Sequence, residues 1–175
     1  MLTTIALVIA VLVVALLGYA AMRPDTLHVA RTATINAPSQ KIFAIVNDFH
    51  RWPEWSPYEV RDPAMKRTLS GAPSGVGAVY AWDGNKGVGA GRMEILDAPA
   101  PQKITIQLDF MRPFEGHNTA EYTFKPQGDA TEVTWAMTGP SPFMQKLFSV
   151  FVNMDDMIGR DFATGLANLK PLAEK

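Results

Sequence analysis

The sequence contains no cysteine, which excludes disulfides, thiol nucleophiles and thiolate metal sites. Its three histidines, His28, His50 and His117, follow no metal-ligand spacing and have no carboxylate placed to complete a site, so no metal is expected. A Ser–His–Asp order, a nucleophile elbow and a dinucleotide-binding glycine pattern are also missing, and no cofactor is expected. The net charge is only −1 and the Lys and Arg residues are scattered, leaving no basic surface for nucleic acid.

Charge is also absent from one end of the chain. From Met1 to Met22 there is no ionisable side chain, and only Thr3, Thr4 and Gly18 fall outside the apolar set. Twenty-two helical residues extend about 33 Å, enough to cross a hydrocarbon core. The 16 basic and 17 acidic residues all follow this stretch. The near-zero mean hydropathy therefore averages a membrane helix, residues 1–22, and an ordinary water-soluble remainder. The competing reading is a cleaved signal peptide, since Gly18-Tyr19-Ala20 offers small residues for a peptidase. Against it, no Lys or Arg precedes the run, and the run exceeds a usual signal core. Arg23, Arg31 and Lys41 follow the helix and favour a cytoplasmic domain, although so short a leading segment permits either orientation.

Residues 23–26 form a short linker, and residues 27–175 have room for one domain. Leu27–Ile35 alternates as a first strand. Asn36-Ala37-Pro38 ends it and opens a short helix striped by Ile42, Phe43, Val46 and Phe49. Trp52-Pro53-Glu54-Trp55-Ser56-Pro57 cannot continue that helix. Six strands are predicted next, over Met65–Ser70, Ala78–Trp82, Val88–Ala98, Lys103–Met111, His117–Pro126 and Ala130–Gly139. In the last three, Ile104, Ile106, Leu108 and Phe110, then Ala120, Tyr122 and Phe124, then Val133, Trp135 and Met137 fall on one face. Gly139-Pro140-Ser141-Pro142 breaks the chain before one long terminal helix, striped from Phe143 through Leu147, Val150, Phe151, Met154, Ile158, Phe162 and Leu166 to Leu169. An antiparallel sheet with one apolar face and an amphipathic helix cover each other, giving an α+β class.

This order resembles the START-like superfamily, also called SRPBCC or polyketide cyclase/dehydrase-like proteins. The resemblance is carried by Ile35-Asn36-Ala37-Pro38, Ile42-Phe43, the Trp52–Pro57 run, Gly75-Val76-Gly77-Ala78-Val79-Tyr80, Thr131-Glu132-Val133-Thr134-Trp135 and the terminal helix. It covers about residues 27–172 and implies a helix-grip fold, a curved seven-stranded antiparallel sheet around the C-terminal helix with an apolar cavity between them. It further implies a hydrophobic small molecule or lipid as ligand. Some members are cyclases, and others have no assigned reaction.

The residues expected to line such a cavity are Trp52, Trp55, Tyr80, Trp82, Met93, Phe110, Tyr122, Trp135, Met137, Met154, Met157 and Phe162. Each taken alone suits an ordinary core. Together, four Trp and nine Met in so small a chain point to an adaptable apolar wall with a few polar tips. Gly87, Gly89 and Gly91 enter a strand at alternate positions, which suits a bulge or open interior space. Arg92 and Asp109 fall on the wet face. Glu54, between two tryptophans, is a possible acid–base group whose pKa burial would raise; a solvent-facing loop carboxylate is the plainer reading. The expected function is a membrane-anchored, non-catalytic binding module with a lipid-like ligand held near the bilayer. The alternative is a cyclase/dehydratase-type enzyme using Glu54 or Tyr80, and a third reading takes the interior as merely packed.

Overall fold

A computed structural model describes all 175 residues. Helix α1 (Leu2–Ala21) comes first, followed by β1 (Thr26–Ile35), α2 (Ser39–Val46), a 3-10 turn (Phe49–Glu54) and α3 (Pro57–Arg61). Six strands follow: β2 (Lys66–Gly71), β3 (Ala78–Asp83), β4 (Ala90–Asp97), β5 (Lys103–Arg112), β6 (Gly116–Gln127) and β7 (Ala130–Pro140). The chain ends in α4 (Phe143–Phe151) and α5 (Met154–Ala173). Strands β2 to β7 pair in sequence as an antiparallel meander, and β1 adds to the β7 edge, giving the order β1-β7-β6-β5-β4-β3-β2. This is the helix-grip arrangement. The strand that opens the domain and the one that follows it therefore lie at opposite edges. The intervening short helices cross the sheet to connect them, covering its apolar face on the way.

The two-residue side-chain period decides which face is apolar. On β7, Val133, Trp135 and Met137 are buried while Glu132, Thr134 and Ala136 are half-exposed. On β6, Ala120, Tyr122 and Phe124 point the same way, and pairing sets Tyr122 beside Trp135 and Phe124 beside Val133. Helix α5 closes this face against β1, β7 and α3. Its Phe162, Leu166, Leu169 and Ala173 are at most 2% exposed, and full burial of a large apolar side chain contributes about 1.5–3 kcal/mol.

The β3–β4 turn and the start of β4 account for the glycine run. Gly89 has φ +72°, and a Cβ there would meet the Arg112 carbonyl oxygen at 2.2 Å. At Gly91 the Trp82 ring lies where a Cβ would be, 2.5 Å away. The β4–β5 register shifts between Ala90 and Gly91, a bulge that bends the sheet. Space left by the missing Gly91 side chain is thus filled by an indole.

One expectation is corrected. The terminal segment is two helices, because Val152 is extended (φ −124°, ψ 124°) and Asn153 caps a new helix, its side chain accepting from the Asp156 N–H. Of these two, α5 is the helix that packs on the sheet. Helix α4 packs instead against α1, a helix long and apolar enough to cross a membrane, in which Ala20 alone is buried and Leu16 half-buried.

Candidate functional site

The interior between sheet and α5 is a continuous chain of aromatic rings. Phe162 stacks on Trp135 with centroids 4.1 Å apart, and Trp135 stacks on Tyr122 at 5.1 Å. From there contacts run edge-on from Trp55 to Trp135 at 5.8 Å and from Trp52 to Tyr122 at 6.1 Å. Phe49 and Tyr80 continue the chain, and Trp82 and Phe110, 5.9 Å apart, end it at the half-exposed margin. Such edge-to-face and offset pairs each contribute about 0.5–1.5 kcal/mol beyond the area they bury. Gly165 is what lets α5 come this close, since a Cβ there would sit 2.6 Å from the Trp135 ring and 3.2 Å from Pro57.

The polar tips of these rings are satisfied unequally. Trp52 Nε1 donates to the Val46 carbonyl at 2.9 Å. Trp55 Nε1 and the Tyr122 hydroxyl, on side chains 1% and 0% exposed, have no partner. Burial, and secondarily the nearby Tyr58, push the Tyr122 hydroxyl well above its ordinary pKa, so it is held as an O–H donor. Leaving such a group unpaired costs about 1–3 kcal/mol.

At the edge of the chain of rings sits a buried carboxylate. Glu59 on α3, 7% exposed, accepts a hydrogen bond from the Tyr80 hydroxyl at 2.6 Å and forms an ion pair with Arg67 of β2. Burial first, and then Glu59, raise the Tyr80 pKa, so this phenol stays protonated across the physiological range. A second tie, Arg61 to Asp161, joins α3 to α5, and Asn168 Nδ2 reaches the Trp55 carbonyl at 3.1 Å. The wall bearing Trp55 is therefore held against α5 by side chains from both directions.

Of the residues singled out in the sequence, Trp52, Trp55, Tyr80, Met93, Tyr122, Trp135, Met137 and Phe162 come together in one buried cluster. Trp82 and Phe110 pack at its margin. Met154 and Met157 do not join it, because the break at Val152–Asn153 turns the start of α5 away. Met157 is 41% exposed, and Met154 lines a half-open groove of about 470 Å³ with Arg23, His28 and Gln145. A smaller hollow of about 220 Å³ meets the buried cluster at Phe49 and Ala78 and reaches none of the other rings. Glu54 takes the plainer of its two readings, a solvent-facing carboxylate. Its flanking tryptophans turn inward, whereas its own side chain turns out to a bidentate pair with Arg51, and this lowers its pKa rather than raising it. Arg92 pairs with Glu94, and Asp109 accepts from His117, both on the outer face of the sheet.

Sequence reasoning missed Glu59, Arg67, Tyr58 and the orphaned tips. Helix α3 has five residues between prolines and a turn, too few to show a period that separates the buried Glu59 from the exposed Val60.

The fold has many relatives among solved structures. A protein of Chromobacterium violaceum superposes with a TM-score of 0.60 at 13% identity, covering 87% of this chain and 99% of that one. A protein of Mycobacterium smegmatis gives 0.57 at 20% identity, over 85% and 91%. The di-domain ARO/CYC protein StfQ of the steffimycin biosynthetic pathway gives 0.65 at 11% identity, covering 85% of this chain and 51% of that one. At such identities the likeness is one of fold. No curated protein matches by sequence. The family model described as polyketide cyclase/dehydrase and lipid transport matches residues 26–174, and the chain belongs to that family.

Proposed function

We propose that this chain is a membrane-anchored binding protein that holds an apolar or amphipathic small molecule against the aromatic wall between sheet and α5, without catalysis. The reading rests on Trp55 Nε1 and the Tyr122 hydroxyl, two donors orphaned in an otherwise apolar interior. A ligand oxygen accepting from either recovers a penalty the unliganded protein carries. The rings already touch, so capture requires them to move. Met93 and Met137, both in the cluster, are the side chains best suited to repack around an irregular apolar shape. The anchor is α1, and the four residues Met22 to Asp25 between it and β1 reach at most about 14 Å. The interior is thereby kept near the bilayer, where apolar ligands partition.

The test uses the full chain in phosphatidylcholine nanodiscs, with native mass spectrometry for retained molecules and energy transfer from the tryptophans to cis-parinaric acid. A retained apolar molecule, and transfer reduced in a Tyr122→Phe variant that keeps all four tryptophan donors, are expected. No retained molecule, with transfer equal in parent and variant, contradicts the proposal.

A second reading, catalysis of the cyclase/dehydratase kind, draws on the Tyr80–Glu59–Arg67 cluster. A phenol kept protonated beside the interior is a hydrogen-bond donor for a substrate carbonyl once its proton turns from Glu59 to the substrate. Under that reading Tyr80→Phe abolishes turnover of a polyketide-like substrate and leaves ligand retention intact.

A further inference from the structure

Helix α4 inverts the arrangement expected of a surface helix. Its one charged residue, Lys146, is 7% exposed and paired with Asp25 of the linker. Three of its large apolar residues face outward instead, Met144 71% exposed, Phe148 51% and Phe151 72%, while Leu147 and Val150 are half-buried. At 100° per residue these three lie on one face at i, i+4 and i+7, with Lys146 on the opposite side. In water such a face is a liability with nothing to offset it.

Its neighbour identifies what covers it. Helix α4 packs against α1, and the only α1 side chains withdrawn from solvent are Leu16 and Ala20, one turn apart in its last two turns. At 1.5 Å per residue, Leu16 lies about 7 Å from the end of the helix at Ala21. Tyr19, with the Arg23 guanidinium 5.4 Å from its ring centroid, marks the same level, and this aromatic–basic pairing is characteristic of the membrane–water boundary. If α1 crosses a bilayer, a helix touching its last two turns sits at the headgroup–acyl boundary, where an amphipathic helix buries its apolar face about 5–10 Å deep.

We infer that α4 is an interfacial helix whose Met144–Phe148–Phe151 face inserts into the lipid surface beside α1, fixing the domain against the bilayer at two points instead of one. This rests on the anchoring of α1 proposed above. The Lys146–Asp25 pair then has a clear purpose. It neutralises the only α4 charge on the domain side and couples the helix to the linker that leaves the membrane.

The chain is free of cysteine, so single labelling sites can be introduced without background. Nitroxide labels at M144C, F148C and F151C are placed in the full chain in phosphatidylcholine vesicles and read by power-saturation EPR with oxygen and a water-soluble nickel chelate. L12C in mid-α1 reports on the anchor. D129C, in the turn at the far end of β7 from α4, reports on the aqueous side. Labels at 144, 148 and 151 are expected to show oxygen-dominated accessibility at about 5–10 Å depth, with position 12 deeper and position 129 in water. Aqueous accessibility at 148 and 151 with position 12 in the hydrocarbon overturns the interfacial helix and leaves the anchor standing. Aqueous accessibility at all of these positions overturns both.

Discussion

Helices α4 and α5 share one apolar stripe in the sequence and meet opposite fates in the structure. Across three residues the stripe passes from Phe151, 72% exposed, to a helix whose Phe162, Leu166 and Leu169 are sealed against the sheet. Nothing in the spacing of the apolar residues differs between them. What differs is the neighbour: α5 faces β1, β7 and α3, and α4 faces the apolar helix α1. Periodicity establishes that a helix has a face to cover, and leaves open whether protein or lipid covers it.

The comparison is sharpened most by truncating one aromatic in each helix. Phe162→Ala removes the ring stacked on Trp135 and is expected to cost about 3–5 kcal/mol in denaturant unfolding. Phe151→Ala is expected to stay within about 0.5 kcal/mol, because that ring touches little of the protein. Equal losses would mean that α4 belongs to the same core. A smaller difference is expected between two α5 glycines. Gly165→Ala drives a methyl into Trp135 and Pro57 and should cost about 1–3 kcal/mol. At Gly159 the obstacle is the far end of the flexible Arg31 side chain, 2.0 Å from a Cβ. Its displacement is cheap, and a helix-propensity gain of about 1 kcal/mol offsets it.

Much of the aromatic interior was legible because strands write their faces into the sequence with a period of two. Tyr122, Trp135 and Met137 follow from alternation alone. The helix break was less visible but not unsigned, since Asn153 three residues before Asp156 is an N-cap signal that the continuous stripe obscured. Glu59 had no signal, because a five-residue helix is shorter than the window in which a helical period can be recognised. The raised pKa that the acid–base reading of Glu54 required is absent for a related reason. Two flanking tryptophans suggest burial, but in a 3-10 turn neighbours point in different directions, and Arg51 three residues earlier is the partner actually met.

Titration offers a further contrast between interior and surface. Burial raises the pKa of Tyr58, Tyr80 and Tyr122. Groups raised by folding contribute stability that is complete below their unfolded value near 10 and is lost as pH rises toward the folded values. Stability should therefore fall above about pH 10, and absorbance at 295 nm should show these phenols ionising only as the chain unfolds. Ionisation of these three near pH 10 in the folded chain would contradict their burial. Asp155, lowered by its hydrogen bonds from Arg31, behaves in the opposite sense. Its contribution is complete above about pH 3.9 and is lost as pH falls through its lower folded value. The Arg31–Asp155 pair is largely exposed, so Arg31→Gln should flatten acid unfolding only slightly, the smallest effect expected here.

The central claim, that the aromatic interior is built to receive a ligand, is tested most directly by Tyr122→Phe. The variant deletes one orphaned hydroxyl and leaves the ring that stacks on Trp135. If the hydroxyl awaits a ligand, the unliganded variant should be as stable as the parent or up to about 1 kcal/mol more stable, while affinity for cis-parinaric acid falls about two- to tenfold. A variant that is less stable and binds the probe as tightly as the parent would contradict the account.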